Sequence, residues 1–160
     1  MQKRIGTVER AVLDAAIKQI TGYKIFRQDK GRKETFFNHL LYRDLLQVEP
    51  RVTNVGIHSA TLVGETFRPE FCIQGGKGHP LFCVECKKLT DPTAKSRFKE
   101  GLSQALVYSN EYKCVLLAFY DFTKNAYYSA SFGVAGSPEK KFTDGLWKHH
   151  KIKVVFVVPV

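Results

Sequence analysis

Two glutamates and one lysine near the middle of the sequence have the residue types and the spacing of a hydrolytic metal site. Glu70 directly precedes one short apolar run, and Glu85 and Lys87 lie two residues apart within the next run. The glycine-rich segment 75–80 separates the two runs, which is typical of a β-hairpin. Because side chains alternate between the two faces of a strand, Glu85 and Lys87 are expected on the same face.

The position of the predicted hairpin loop determines which residues face each other across the two strands. A loop centred on Lys77 and Gly78 gives three opposed pairs: Gln74 with Leu81, Cys72 with Cys83, and Glu70 with Glu85. Carboxylates that face each other in a sheet, with Cβ atoms about 5 Å apart, repel each other. A divalent metal ion between them, with Lys87 nearby, would remove this repulsion, so the pattern predicts a metal site.

Three short motifs, in this order, resemble those of the PD-(D/E)xK nuclease superfamily: Pro69-Glu70, Glu85-Cys86-Lys87 and Gln104-Ala105-Leu106-Val107-Tyr108. The resemblance covers residues 34–122 and implies a restriction endonuclease-like α-β-β-β-α-β core. The expected fold class is therefore α/β (α+β), with a mixed sheet flanked by helices. The family usually has Asp at the position of Glu70.

The resemblance also implies an activity, the metal-dependent hydrolysis of phosphodiester bonds in DNA. Mg²⁺, or Mn²⁺, would be bound by Glu70, Glu85 and the backbone carbonyl of Cys86, with Glu34 as a further candidate ligand. Lys87 would orient or deprotonate the attacking water, whose pKa the metal lowers. The candidate catalytic residues are Glu70, Glu85, Lys87 and Gln104.

A positive net charge makes nucleic acid the expected partner. The 25 Lys and Arg residues outnumber the 15 Asp and Glu residues, which gives a formal net charge of +10 at pH 7. Such an excess attracts polyanions, and the resemblance favours DNA over RNA. The segment 23–33 is dense in positive charge, and it is either a phosphate-contacting arm or an exposed connector. The candidate nucleic-acid contacts are Lys24, Arg27, Lys30, Arg32, Lys33, Lys88, Arg97 and Tyr108.

Two alternatives compete with the nuclease interpretation. The first is a non-catalytic nucleic-acid-binding or protein-interaction module with a degenerate site, which the replacement of Asp by Glu70 supports and the presence of Glu85 and Lys87 opposes. The second is a zinc or redox site at Cys83-Val84-Glu85-Cys86. A strand sends Cys83 and Cys86 to opposite faces, so buried hydrophobic cysteines are favoured instead.

Hydrophobic periodicity predicts the elements that position these residues. Helices are expected over residues 8–20, 34–47, 91–110 and 137–150. The region 51–67 is expected to contain the first core strand or a hairpin, and the apolar run 114–122 a strand buried on both faces. The remaining predicted strands, 126–134 and 152–158, make a C-terminal β-α-β addition to the core, and helix 8–20 is an extra N-terminal helix.

Length and composition indicate a single domain over residues 1–160. No signal peptide or membrane-spanning segment is visible, and the four cysteines are expected to be reduced, so the sequence predicts a cytoplasmic protein. A homodimer is a further expectation, because cleavage of both strands of a duplex requires two sites.

Overall fold

The computed structural model describes residues 4–48, 52–54, 60–74 and 80–160. Short 3-10 helices at Arg27–Gly31 and Lys124–Ala126 accompany twelve α-helices and β-strands of these ranges. In chain order the twelve are α1 (Thr7–Thr21), α2 (Glu34–Val48), β1 (Val52–Asn54), β2 (Ala60–Leu62), β3 (Glu65–Phe67), β4 (Phe71–Gln74), β5 (Pro80–Leu89), α3 (Ala94–Glu111), β6 (Cys114–Asp121), α4 (Tyr127–Gly133), α5 (Pro138–His150) and β7 (Ile152–Val157).

A mixed sheet with the strand order β1-β4-β5-β6-β7 is flanked by helices, as expected for the α/β class. Strand β4 is antiparallel to β1 and to β5, whereas β5, β6 and β7 are parallel to one another. Helix α3 connects the parallel strands β5 and β6. The region 51–67 contains both predicted alternatives, because β1 belongs to the sheet while β2 and β3 form a separate antiparallel hairpin.

Each face of the sheet is covered by its own apolar cluster. On one face, Leu13 of α1 and Leu41 of α2 belong to a cluster with Val84 of β5. On the other face, Ala105 of α3 belongs to a second cluster with Cys83 of β5. All eight residues of β6 are buried, which explains its uninterrupted apolar sequence.

The pairing of β4 with β5 confirms one predicted pair and corrects another. Cys72 lies opposite Cys83, as expected. Gln74 lies opposite Pro80, so the prediction that it faces Leu81 is wrong. The register shifts between Ile73 and Gln74, because an irregularity of the β-bulge type changes the pairing on one strand. The predicted loop centre, residues 77 and 78, lies outside the described residues.

The predicted strand over residues 126–134 is wrong, and with it the predicted C-terminal β-α-β addition. This segment contains the end of a 3-10 helix and the helix α4. Two side chains from the preceding segment accept hydrogen bonds from N–H groups at the start of α4. Thr123 Oγ1 accepts from the Tyr127 N–H at 2.9 Å, and Asp121 Oδ2 accepts from the Ser129 N–H at 2.7 Å. These bonds satisfy donors that would otherwise have no partner in the helix.

Aromatic packing also favours a helix over residues 127–133. Tyr128 and Phe132 are four residues apart, which places them on the same side of a helix. Both rings contact Phe98 of α3, with centroid distances of 5.1 Å and 5.2 Å. The following elements agree with the sequence: Ser137 caps α5 by accepting a hydrogen bond from the Lys140 N–H, and β7 ends the sheet.

Helix α3 begins at Ala94, three residues after the predicted start at Asp91, because residues 91–93 form a turn. Like the other helices in the described ranges, α3 lacks the combination of length and apolar character that a membrane span requires.

Candidate active site

Glu85 and Lys87 form a buried ion pair on the face of β5 that α3 covers. Their exposed fractions are 2% and 4%, and the Lys87 ammonium contacts Glu85 Oε1. The second carboxylate oxygen, Glu85 Oε2, is buried and has no hydrogen-bond partner among the described residues. A buried polar atom without a partner is costly to a fold, so this oxygen is a candidate for binding a ligand.

Glu70 lies beside this pair because of the way β4 begins. The paired residues Phe71 and Val84 are the last contact between the two strands at this end of β4. Glu70 precedes Phe71 and Glu85 follows Val84, so the two glutamates are neighbours at the start of β4, where β5 continues beyond the paired residues. The negative charge of Glu70 is near enough to raise the pKa of Glu85. The structure therefore brings together Glu70, Glu85 and Lys87.

The two carboxyl groups have a raised affinity for protons. Burial, partly opposed by the charge of Lys87, raises the pKa of Glu85 to about 7, and the charges of Glu70 and Glu34 contribute. Burial also raises the pKa of Glu70, while Lys87 and the adjacent Asn38 side chain lower it. Since nearby negative charges and desolvation both disfavour the carboxylates, a bound cation would stabilise them.

Glu34 joins three elements at the edge of the site. It lies in the first turn of α2, and its Oε2 accepts hydrogen bonds from the Lys88 N–H of β5 and from Arg97 Nη2 of α3, both at 2.6 Å. The predicted metal ligand Glu34 therefore has one carboxylate oxygen engaged within the protein. Its charge still acts on Glu70 and Glu85, since it raises the pKa of both.

Helix α3 contributes two residues that the sequence did not point to. Glu100 forms an ion pair with Arg97, and its Oε1 lies 3.9 Å from Lys87 Nζ. Gly101 packs directly on the lysine, because an added Cβ at this glycine would lie 3.1 Å from Lys87 Cγ and 3.1 Å from the Phe119 ring. One feature of the sequence could have indicated the ion pair of Glu100 with Arg97, which is their spacing of three residues on a predicted helix.

Gln104 and Tyr108 project from α3 into the same interior region. Tyr108 is fully buried, and its pKa is raised by burial and then by the charge of Glu85. The Tyr108 hydroxyl and Gln104 Oε1 are buried and lie beyond hydrogen-bond distance of any described residue, but the Tyr108 hydroxyl is close enough to the Glu85 carboxylate for the two groups to interact, which also raises the pKa of Tyr108. Tyr108 therefore faces the interior near Glu85 and not the solvent.

Asn38 of α2 was also missed by the sequence reasoning. It is buried, its Oδ1 accepts a hydrogen bond from the Tyr120 hydroxyl at 3.0 Å, and it lowers the pKa of Glu70. Nothing in the sequence marked it, because Asn38 meets Glu70 and Tyr120 only through the packing of α2 on the sheet.

The predicted nucleic-acid contacts fall into two groups. The cations of the segment 23–33 are exposed: Lys24, Arg27, Lys30, Arg32 and Lys33. Lys88 is engaged internally, since its ammonium donates to the backbone carbonyls of Lys30 and Arg32 and lies 5.5 Å from the Phe122 ring centroid. Lys88 therefore holds the first 3-10 helix against β5, and Arg97 is likewise engaged, with Glu34 and Glu100.

Comparison with protein-family models, with curated proteins and with solved structures found no match. The site is therefore interpreted from its own geometry and chemistry.

The donor set fits a magnesium ion better than a zinc ion. No group of three or more His, Cys, Asp or Glu side chains within the described ranges is arranged to hold a metal. Mg²⁺ is commonly bound by one or two carboxylates, with water and substrate phosphate completing its shell. Glu70 and Glu85, with the unpartnered Oε2 of Glu85, meet this requirement. Cys83 and Cys86 belong to different apolar clusters on opposite faces of the sheet, so they do not form a zinc pair.

Proposed function

We propose that the protein is a metal-dependent nuclease that hydrolyses phosphodiester bonds of DNA. The observation that carries this proposal is the buried Glu85–Lys87 pair beside Glu70, in which Glu85 Oε2 has no partner among the described residues. A charge-bearing cluster of this kind, in a buried and perturbed setting, is characteristic of functional sites.

The order of the elements supports placing the protein in the PD-(D/E)xK superfamily. The elements α2, β1, β4, β5, α3 and β6 follow one another in the α-β-β-β-α-β order, with the β2–β3 hairpin inserted after the first strand. The three antiparallel strands and the parallel fourth strand lie side by side in the sheet. Of the motif residues, Glu70 directly precedes β4, and Glu85 and Lys87 lie within β5.

Mg²⁺ or Mn²⁺ would be held by Glu70, Glu85 and the carbonyl of Cys86, and when bound it would lower the pKa of a water and stabilise charge on the phosphate. Within the protein, Lys87 lowers the pKa of Glu85, so it favours the ionised carboxylate that binds metal. The Lys87 ammonium is held by Glu85, and the Cγ of the same side chain packs against Gly101, so the ammonium is fixed where it can orient a water or stabilise the developing negative charge.

A non-catalytic DNA-binding module is the second candidate, and one observation favours it. Both cations of the site are already paired with acids among the described residues: Lys87 with Glu85 and Glu100, Arg97 with Glu100 and Glu34. A network that satisfies its own charges can persist in a protein that only binds. A cytoplasmic location and a homodimer stay predictions in either case.

A cleavage assay on single-stranded, double-stranded and branched DNA, with Mg²⁺ or Mn²⁺, tests the proposal. We expect Lys87→Gln to lower cleavage by at least about 100-fold, in the range of a lost acid–base group. Its DNA affinity in EDTA should stay within about twofold, because one buried charge contributes little to phosphate contacts. The control is Lys99→Gln, which removes the same charge from an exposed position on α3.

The melting temperature of each variant shows that a loss of cleavage is not a loss of fold. Wild-type protein that binds DNA but cuts no substrate with either metal ion would favour the binding module. Lys87→Gln protein that cuts as fast as the wild type would refute the assigned role of the lysine.

A further inference from the structure

A cleft lies at the carboxyl ends of β6 and β7, away from the α3 face that carries Glu85. Its volume is about 660 Å³, which lies within the range of small-molecule sites. Three cations line it, Arg27 and Lys30 from the first 3-10 helix and Lys124 from the second. Its apolar wall includes Ala126, Val158 and Pro159. We call this site the carboxyl-edge cleft.

The three cations carry charge that the described part of the protein does not neutralise. Arg27, Lys30 and Lys124 are exposed, and none forms an ion pair with a described residue. Burial lowers the pKa of the neighbouring Lys88, and the positive charge of Lys30 lowers it further. Three converging positive charges without an acidic partner favour an anionic ligand.

Asp121, the one acid that lines the carboxyl-edge cleft among the described residues, does not compete for those cations. Asp121 is fully buried, and both of its oxygens accept hydrogen bonds within the protein. Oδ1 accepts from the Thr123 N–H at 3.1 Å and from the Thr123 hydroxyl, and Oδ2 accepts from the Ser129 N–H. A metal cation would find no free carboxylate oxygen on this residue, so the cleft is suited to an anion.

The loop that carries Lys124 is held in an unusual conformation. Asn125 and Ala126 are consecutive left-handed residues, with φ values of 56° and 47°. This region is unfavourable for residues with a Cβ, and alanine has no side-chain hydrogen bond to compensate. The Asp121 contacts and the bond from the Lys124 N–H to Asp91 Oδ2, at 3.1 Å, hold the loop in place. Such strain is found where surrounding structure fixes a ligand-binding loop.

The opposite wall of the carboxyl-edge cleft is tied to the strand that carries the candidate active site. Lys88 donates to the carbonyls of Lys30 and Arg32, so the 3-10 helix with Arg27 and Lys30 is fixed to β5. The Arg27 N–H also donates to the carbonyl of Val160 at 3.3 Å. The cations are therefore presented by two anchored segments.

We propose that the carboxyl-edge cleft binds a nucleoside monophosphate group, with its phosphate between Arg27, Lys30 and Lys124 and its sugar and base against the apolar wall. The charges select the phosphate, and the volume and the apolar wall select the nucleoside over inorganic phosphate. The same chemistry is presented by a phosphorylated end of a DNA strand and by a free nucleotide. This binding goes beyond the nuclease proposal and needs neither metal nor cleavage.

Calorimetric titration of the wild type with thymidine 5′-monophosphate, in EDTA at low salt, tests the proposal. Thymidine and inorganic phosphate are expected to bind at least tenfold more weakly, because each lacks one half of the ligand. In the double variant Arg27→Gln/Lys124→Gln the affinity for the nucleotide should fall at least tenfold. The double variant Lys95→Gln/Lys99→Gln, which removes two exposed charges from α3, should change it by less than twofold.

A competition arm identifies the source of the ligand. If a 5′-phosphorylated oligonucleotide displaces the nucleotide and its unphosphorylated form does not, the ligand of the cleft is the phosphorylated end of a DNA strand. Failure of the phosphorylated form to displace it indicates a free nucleotide. Any of three results would overturn the proposal. The wild type does not bind the nucleotide, thymidine binds as tightly as the nucleotide, or the Arg27→Gln/Lys124→Gln variant keeps the wild-type affinity for the nucleotide.

Discussion

Glu85 and Lys87 are two charged side chains that the fold removes almost completely from water. Desolvation of such a pair costs free energy that its mutual attraction repays only in part, so a buried pair is weak evidence for a stabilising role. Glu85 Oε2 has no partner within hydrogen-bond distance among the described residues, although the Tyr108 hydroxyl lies close enough to interact with this carboxylate. The cost of burying this pair is therefore part of the basis for the proposed function, and the pair is not evidence of a stabilising role.

The raised pKa of Glu85 predicts a pH dependence of metal binding. With a pKa of about 7, the carboxylate is ionised at pH 8, whereas at pH 6 a metal ion must displace a proton. The apparent affinity for Mg²⁺ should therefore fall by up to about tenfold per pH unit below 7. Melting temperatures with excess Mg²⁺ and with EDTA should show a larger metal-dependent increase at pH 8 than at pH 6.

The raised pKa of Glu85 also predicts how the free energy of unfolding depends on pH in the absence of metal. Between the usual value of 4.5 and about 7, the folded protein binds more protons at Glu85 than the unfolded chain does. Its contribution to the free energy of unfolding therefore decreases as the pH rises through this window. Glu85→Gln should lack both the metal effect and this slope, and Glu111→Gln on exposed α3 surface should keep both. Equal metal effects at the two pH values would contradict the assignment.

Helix α3 approaches β5 closely because residue 101 is glycine. Alanine at this position would bring its Cβ to 3.1 Å from both Lys87 Cγ and the Phe119 ring, which is closer than ordinary packing allows. At Gly145 in α5, an added Cβ would have no atom of the described residues within 4 Å. The two glycines therefore separate the effect of crowding from the effect of helix propensity.

Replacing each glycine by alanine should change stability in opposite directions. Gly145→Ala should raise the free energy of unfolding by about 0.5–1 kcal/mol, the propensity gain of alanine in a helix. Gly101→Ala should lower it by about 1 kcal/mol, because overpacking of roughly 1–3 kcal/mol exceeds that gain. Urea denaturation measures both, and cleavage by Gly101→Ala should fall as Lys87 is displaced. A Gly101→Ala protein as stable as Gly145→Ala would show that α3 can move away from β5.

Elements with a strong local signal were predictable, and those shaped by distant contacts were not. The alternation in β5 placed Glu85 and Lys87 on one face, since Cys83 and Cys86 indeed belong to clusters on opposite faces. The segment 126–134 alternates like a strand, but its helix is set by Asp121 at the end of β6 and by Phe98 of α3, which lies far from the segment in sequence. The contacts of Glu100 with Lys87 likewise depend on how α3 is rotated over the sheet, which no local pattern reveals.

At the scale of the whole molecule, the protein has a net charge of +10, and its cationic side chains fall into two groups. Some are bound to other groups within the protein, and others are exposed. Lys87, Lys88 and Arg97 are engaged within the protein, by ion pairs or backbone carbonyls. Lys24 and Lys33, on either side of the first 3-10 helix, are exposed and form no ion pair with a described residue. Long-range attraction to DNA should therefore depend on the segment 23–33 more than on the candidate active site.

The salt dependence of DNA binding measures this contribution. Each phosphate neutralised by a cation adds about −0.9 to the slope of log affinity against log salt concentration, because bound counterions are released. The double variant Lys24→Gln/Lys33→Gln should therefore make the slope for duplex DNA in EDTA shallower by about 1.8. Lys95→Gln/Lys99→Gln removes the same charge from the outer side of α3 and should leave the slope nearly unchanged, with fluorescence anisotropy as the readout. Equal changes of the slope in the two variants would mean that the affinity for DNA depends only on the net charge of the protein. An affinity that does not depend on salt would exclude phosphate contacts as the basis of binding.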